Sequence, residues 1–499
     1  MRVLIFHGYL LDGTGSNVYN ARLAAALVAA GHEVHLLAQE RHGSALPFVD
    51  AIGTWRRGAL AVEVRRRPVR CTLYRPPIGR LLPVYVYDRY EGFVAKRFGD
   101  CTDDELERYV AANVAATAEV CARSHAEAAL ANHLVMGPVI LARALPPTVP
   151  YAVKIHGSAL EYTVKAAPER FLPYAREGLA PARAILLGSS HTARSLAGAL
   201  GDPELERRMR LLAPGVDTEL FAPLPDEPGA RARAHRALLE ALERQCAQAR
   251  GVQGEGDAFA QAPARALAAV RALDPERDLP IAFVGKLIAA KGAELALRAF
   301  AIVQQQLPAA RLFVVGFGEL EADLQRLVEA GRAGEGPLAG AAERIHFTGR
   351  LQHAQLAPLL ALCSAVVVPS VFPEAFGMIV AEAAAAGALP VSADHSGLAE
   401  VSGLLGAAVD ETLHEKLGAL LRFPIEQAPE AIAQRLLAWL ELPESLRAQA
   451  RAALIAAVRE RFSWAGVAAA VLAATQGRIE TMSAPELAPR ALEESPRMR

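Results

Sequence analysis

RVLIFHGYLLDGTGSNVYNARLAAALVAAGHEVHLLA, residues 2–38, decides the fold class. Val3–Phe6 is a short apolar run of the length a buried strand needs. A glycine-rich turn follows in Leu11–Asn17, and the alanine-rich segment from Val18 closes at Gly31, a residue suited to the end of a helix. Glu33–Ala38 is a second strand-like run. Strand, glycine turn, helix and strand in that order read as a βαβ unit, which implies a parallel sheet covered by helices.

The same alternation extends outward. A helix is expected over residues 103–123, strands in "YAVKIHG" and "AILLGSS", and a helix in "TARSLAGAL", with "RLLAPGVDTELFAP" closing an N-terminal Rossmann-like domain over residues 1–224. Residues 225–278, rich in alanine and arginine and split by a glycine-rich break, read as a helical insertion or linker between domains. The alternation restarts at "PIAFVGKL" and runs through "RLFVVGFG", "RIHFTGR", "AVVVPS" and "LPVSA", giving a second Rossmann-like domain over 279–455. A C-terminal helix is expected over 456–476, and residues 477–499 lack periodicity and read as a disordered tail. At 499 residues the chain exceeds what one hydrophobic core organises, so an α/β protein of two doubly wound domains facing a central cleft is expected.

Composition excludes several classes. The net charge of −1 gives no global attraction to nucleic acid. Five cysteines without a CxxC pair argue against a zinc site or a disulfide framework and for a reducing compartment. The N-terminal apolar run is too short for a signal peptide, and no apolar stretch has the ~20 residues of a spanning helix. A cytoplasmic protein is expected. Arginines 56, 57, 65, 66, 67, 70, 75 and 80 are either a contact for an anionic lipid or phosphorylated acceptor, at the periphery of the inner membrane face, or a solvated surface.

Candidate chemistry gathers at strand ends. Gly13–Ser16 follows the first strand and precedes a helix, so it is either a phosphate approach or a plain tight turn. Lys286 and Lys291 in "FVGKLIAAKG" leave a strand end and meet a helix start, and are either a cradle for a diphosphate or ordinary surface lysines at loop ends. His156 ends an apolar strand and is followed by Gly157; it is either a satisfied structural histidine or a ligand contact. In "PEAFGMIVAEAAAAGALPV", residues 373–391, Glu374 falls in a strand-to-helix loop and Glu382 about a turn and a half inside the helix. The free N–H groups of Phe376, Gly377 and Met378 would point from the helix start. Both glutamates are either solvent-facing helix residues or cleft residues that accept from hydroxyls.

Taken in order, the glycine turn, His156–Gly157, "APGVDTELFAP", "FVGKLIAAKG", "VVGFGEL", "FTGRL" and "EAFGMIVAE" resemble the retaining GT-B glycosyltransferases of family 4, across most of residues 1–475. The resemblance implies transfer of a sugar from a nucleotide-diphosphate donor, by family frequency a UDP-sugar of hexosyl or N-acetylhexosaminyl type, to a hydroxyl acceptor that is a small molecule, glycan or lipid. It implies donor contacts at Gly13, Gly15, Ser16, Gly285, Lys286, Lys291, Arg350, Glu374, Ala375, Phe376, Gly377, Met378 and Glu382. Catalytic roles fall to His156, Lys286, Lys291 and Glu374, with Glu374 on the donor sugar and Glu382 on the ribose. It also implies a C-terminal helix that crosses back to the N-terminal domain. Asn17, Asn132 and His133 are acceptor-side candidates, and for the last two a core turn is an equal reading.

Two departures stand out. Lys286 occupies a position where the family more often has Arg, and "SGLAEV" resembles GG-x-x-E-[VI] with Ser396 in place of the first glycine. No Asp-x-Asp pair stands at a strand end, so no metal and no other cofactor is expected. A nucleotide-sugar epimerase, a phosphorylase-like enzyme and a non-catalytic nucleotide-sugar-binding protein are the competing readings. The epimerase lacks a reason for the Glu-x7-Glu pair, and the phosphorylase needs a cofactor lysine near the C-terminus that is not evident.

Overall fold

The structure, a computed structural model, describes residues 1–87, 90–249, 263–414 and 416–487. Met1–Gly215 together with the segment from Trp464 forms one compact unit, and Val216–Ser463 forms the other.

The first unit begins β1 (Arg2–Phe6), α1 (Gly15–Ala29), β2 (Glu33–Leu37), β3 (Ala51–Arg56), β4 (Ala59–Val64), β5 (Cys71–Arg75), β6 (Leu81–Val84) and β7 (Val94–Arg97). It continues α2 (Asp103–Ser124), β8 (Ala128–Asn132), α3 (Gly137–Ala144), β9 (Tyr151–Ile155), α4 (Pro168–Leu179), β10 (Ala184–Leu187), α5 (Ser190–Leu200), α6 (Pro203–Glu206) and β11 (Met209–Leu211). Nine strands pair in the order β11-β10-β9-β8-β1-β2-β5-β3-β4, and β6 pairs with β7 apart from them. Every pairing is parallel except the β3–β4 hairpin.

Strands covered on both faces must be apolar throughout, and β8, β9 and β10 are buried at every position. Phe6, Phe98 and Phe171 fill one side of the sheet, while Leu23 and Leu27 of α1 cover the other. The chain leaves β1 for β2 and β5 and later returns to β8 on the opposite side of β1, with Val3 opposite Ala128. The strand order therefore reverses between β1 and β8, the position where doubly wound sheets leave room for a ligand.

The second unit runs α7 (Ala230–Ala249), α8 (Pro263–Arg271), β12 (Leu279–Val284), α9 (Ala293–Gln306), β13 (Ala310–Val315), α10 (Glu321–Arg332), β14 (Ile345–Gly349) and α11 (His353–Leu362). It ends β15 (Ala365–Val368), α12 (Met378–Ala385), β16 (Leu389–Ala393), α13 (Ser396–Leu413), β17 (Arg422–Phe423), α14 (Ala428–Glu441) and α15 (Glu444–Arg461). Its six strands are all parallel, in the order β14-β13-β12-β15-β16-β17. Here the order reverses between β12 and β15. The last helix, α16 (Trp464–Thr475), belongs to the first unit, where it packs on α1, β8 and β9, so the C-terminal helix does return to the N-terminal unit.

Three segment readings differ from the structure. Residues 225–278 are not an arm between domains. Val270 and Ala266 of α8 are buried where that helix packs on β14, and α7 packs on α8 and α11. Arg231 at the start of α7 donates to the carbonyls of Pro275 and Leu362. α8 thus covers the β14 edge of the sheet, and α7 packs over α8 and α11. Residues 250–262 lie outside the described residues. The helix expected over 456–476 is two helices in different units, broken between Arg461 and Trp464. Of the tail expected to be disordered, 477–487 is in place: Leu211 N–H donates to Ser483 O at 2.8 Å, and Ile479, Met482 and Leu487 pack on the core. Residues 488–499 lie outside the described residues. Among the described residues no helix is long and apolar enough to cross a membrane.

Candidate functional site

In the second unit, β12 and β15 flank the strand reversal, and the two loops that leave them carry Lys291 and Glu374. A short turn, Ala289–Lys291, follows β12, and the carbonyl of Ala290 accepts from the N–H groups of Val371 and Phe372 at 3.0 and 3.3 Å. Gly292 makes this approach possible: its φ is +64°, and a Cβ there would lie 2.1 Å from the carbonyl oxygen of Pro369. The two loops are thus sewn together, and Lys291 Nζ donates to Glu374 Oε1 at 2.8 Å. The Ser370 hydroxyl donates to the same oxygen. Oε2 of Glu374 has no partner among the described residues. Burial opposes ionisation of Glu374, but the Lys291 ammonium, its hydrogen bond, the Ser370 hydrogen bond and His395 outweigh it and hold the carboxyl below its usual range.

The remaining second-unit candidates follow strand ends of the same parallel sheet, lie in the Glu374 loop or lie on α12. Gly285 and Lys286 continue directly from β12, and Gly285 N–H donates to Val315 O at 3.0 Å. Arg350 follows β14, so cationic residues leave the ends of β12 and β14. Ala375 and Phe376 belong to the Glu374 loop, and Gly377 sits at φ +88° before Met378 opens α12. No side-chain cap satisfies the start of α12, which leaves its first N–H groups for an anion. Glu382 is on the second turn of α12 and is 6% exposed. It is therefore not a solvent-facing helix residue, and neither is Glu374, whose side chain is 17% exposed.

In the first unit a histidine follows each of three adjacent strands: His7 after β1, His133 after β8 and His156 after β9. Their rings line up, His133 lying 5.7 Å from His7 and 4.9 Å from His156 between centroids. Asparagines join them. His7 Nε2 donates to Asn17 Oδ1 at 2.9 Å, and Asn20 Nδ2 donates to His7 Nδ1 at 3.0 Å and to Asn132 Oδ1 at 3.1 Å. His156 Nε2 donates to that same Asn132 oxygen at 2.8 Å. Burial lowers His7 to about 4 despite its bond to Asn17. Burial, then the like charges of His133, Lys154 and His7, push His156 well below its ordinary value, so this imidazole is neutral.

This network changes the reading of the acceptor-side candidates. Asn17 spends its amide on His7 and on the Asp12 carbonyl, and Asn132 spends its own on Asn20, His156 and the Phe6 carbonyl. Both are internal braces. His133 is 2% exposed, at φ +68°, enclosed by Tyr9, Tyr85 and the other two histidines. Gly13, at φ +96°, and Gly15 and Ser16, which begin α1, belong to this unit and not to the Lys291–Glu374 group. The arginines of 56–80 do not form one patch. Arg56 and Arg57 lie at one end of the β3–β4 hairpin, while Arg65 and Arg66 lie at the other, where Arg66 binds Asp50.

Sequence reasoning missed His7, Asn20 and His395. For His7 the available signal was a polar residue immediately after a buried strand, the one read for His133 and His156; Asn20 lies inside α1 and His395 two positions past β16, and neither has that signal.

Comparison with known proteins places these features. Residues 270–455, which hold Lys286, Lys291, Glu374 and Glu382, match the family described as glycosyl transferases group 1. The matched segment lies within the second unit. A D-inositol 3-phosphate glycosyltransferase of Segniliparus rotundus is 35% identical over 201 residues, and the match covers 40% of this chain and 40% of that relative. Among solved structures, a sucrose-phosphate synthase from Thermosynechococcus elongatus aligns with a TM-score of 0.60 at 18% identity, over 94% of this chain and 96% of that one. Anabaena Alr3699/HepE in complex with UDP and glucose aligns with a TM-score of 0.57 at 16% identity, over 95% and 98%. These likenesses establish the GT-B fold. Within the matched segment the strand reversal coincides with the loops that carry Lys291 and Glu374.

Proposed function

We propose that the protein is a retaining glycosyltransferase of family 4 that moves a hexosyl or N-acetylhexosaminyl unit from a nucleotide-diphosphate donor, a UDP-sugar, to a hydroxyl acceptor. The observation that carries this reading is the Lys291–Glu374 pair at the strand reversal of a domain that matches glycosyl transferases group 1. The Anabaena neighbour, whose structure holds UDP and glucose, supports a nucleotide-sugar donor.

Lys286, Lys291 and the uncapped start of α12 neutralise the departing diphosphate. In this reading the lysines supply the positive charge and no divalent ion is called for. Glu374 accepts from sugar hydroxyls through Oε2, and Glu382 accepts from the ribose. A carboxylate engaged with outer hydroxyls is badly placed to attack the anomeric carbon. Front-side displacement, in which the leaving phosphate takes the acceptor proton, fits such a site. The proposed part of neutral His156 is a hydrogen bond to the sugar or phosphate. The protein is expected in the cytoplasm; the split arginines give no single basic face for a membrane.

Steady-state kinetics separate the two glutamates. Ribose binding contributes equally to ground and transition states, so Glu382→Ala should raise the donor KM more than it lowers kcat. Glu374→Ala should lower kcat by about two orders of magnitude with nucleoside diphosphate affinity nearly unchanged. Equal behaviour of the two variants, or activity near wild type in both, refutes the assignment.

A further inference from the structure

We propose that His395 and Ser396 are positioning residues that brace Glu374 for its contact with the donor sugar. The inference rests on the role proposed for Glu374 above and adds two residues that act through it.

The strands β15 and β16 are neighbours, so the loops that leave them run side by side. Four residues of these loops close a ring of hydrogen bonds around Glu374. His395 Nε2 donates to the Ser370 carbonyl at 2.7 Å. With Nε2 spent on that carbonyl, the other ring nitrogen, Nδ1, lies 3.1 Å from the Ser396 hydroxyl and in this tautomer accepts from it. That hydroxyl in turn accepts from the Glu374 N–H at 3.0 Å. The ring closes where the Ser370 hydroxyl donates to Glu374 Oε1. Gly397 N–H adds a bond to the Glu374 carbonyl at 2.9 Å. Every donor in the ring has an acceptor, and the imidazole spans the otherwise irregular stretch from Ser370 to Glu374.

Two observations indicate that this ring orients the carboxylate and does more than tie down a loop. With Oε1 held by Lys291 and Ser370, the carboxylate cannot turn, and Oε2 is the oxygen left to a ligand. Ser396 also sits at φ +54°, a conformation that costs an L-residue about 1–2 kcal/mol and that glycine adopts freely. A serine at this position is sustained by what its hydroxyl does. Ser396 is the residue that departs from the glycine pair of the GG-x-x-E pattern, and the departure comes with a bond to Glu374.

The test uses the whole protein and hydrolysis of UDP-glucose, UDP-N-acetylglucosamine, GDP-mannose and ADP-glucose, taking forward the donor that wild type hydrolyses fastest. Calorimetric titration with the matching nucleoside diphosphate reports whether each variant is folded and competent. His395→Ala and Ser396→Gly should lower kcat by about 10-fold or more, with nucleoside diphosphate affinity within about threefold of wild type. His395→Gln keeps an N–H within reach of the Ser370 carbonyl and should recover most of the loss. If Glu374→Ala lowers kcat but His395→Ala does not, or if His395→Gln is as impaired as His395→Ala, the brace is refuted while the role of Glu374 stands. If Glu374→Ala leaves kcat unchanged, the role of Glu374 itself fails. If wild type neither hydrolyses a donor nor binds a nucleoside diphosphate, the nucleotide-sugar reading falls and the brace with it.

Discussion

Gly397 is where the position of Glu374 can be disturbed without touching a side chain of the site. It lies in the first turn of α13, and its N–H supports the Glu374 carbonyl at 2.9 Å. A Cβ at this position would stand 2.6 Å from both the carbonyl carbon and oxygen of Ala375 and 2.7 Å from the Glu374 oxygen, all of it backbone that cannot rotate away. Ordinary contact at this kind of site begins near 3.4 Å. In Gly397→Ala the loop must therefore withdraw by about 0.8 Å. A retreat of that size is enough to stretch the 2.8 Å Lys291–Glu374 bond to about the 3.5 Å limit of useful hydrogen bonding. Overpacking against backbone costs about 1–3 kcal/mol, which for a unit of this size lowers Tm by several degrees. Misplacement of a reacting group by about 1 Å costs up to ~100-fold in rate. Calorimetry for Tm, titration with UDP and donor turnover together measure this. Reduced Tm and a drop in turnover of about 10- to 100-fold are expected, with UDP still bound. A Gly397→Ala protein with wild-type Tm and turnover would show that the loop has slack the structure does not contain and that Glu374 is not held as described.

Two further outcomes follow from buried groups. Burial lowers the Lys154 ammonium to about 7, so between pH 7 and its unfolded value the unfolded chain binds more protons and stability rises with pH; below pH 7 both states are charged and that gain is gone. Lys154→Met should flatten the stability profile from pH 7 to 10 relative to wild type, by at most ~1.4 kcal/mol per pH unit, and parallel profiles in urea would refute it. Leu242 on α7 is 0% exposed, so Leu242→Ala should cost about 2–5 kcal/mol in the second unit, read as a lower urea midpoint. An unchanged midpoint would restore the reading of residues 225–278 as a linker between domains.

The fold was legible because its signals are local. Val3–Phe6, Gly31 and the Ile281–Val284 run each declare an element within a few residues, and their alternation admits few topologies. The helices α7 and α8 were legible as helices but not in their destination, since nothing near Leu242 or Val270 says that α8 covers β14 or that α7 packs on α8 and α11. Ile479 and Met482 were missed for a related reason: a segment without periodicity can still be fixed by single apolar contacts and one backbone bond to β11.

The site divides in the same way. Lys291 and Glu374 were legible because each lies in the loop after a recognisable strand and near a glycine, yet their pairing depends on β12 lying beside β15 and joins residues 83 positions apart. Asn132 shows the opposite failure. Its place after a strand suggested a ligand contact, whereas adjacency of β8 to both β1 and β9 puts Asn20 and His156 on its amide oxygen and turns its nitrogen to the Phe6 carbonyl. His395 carried no sequence signal, because an imidazole beside a serine has many uses and only the neighbouring β15 loop selects one. Ser396 did carry a signal, as a mismatch to a glycine pair. The mismatch has a cost in backbone conformation and a return in hydrogen bonding, and both fall on the residue that also holds the Glu374 N–H. Gly397, which could not be exchanged without striking the Ala375 backbone, kept the glycine, while Ser396, where the added atoms meet Glu374 and His395 productively, did not need to.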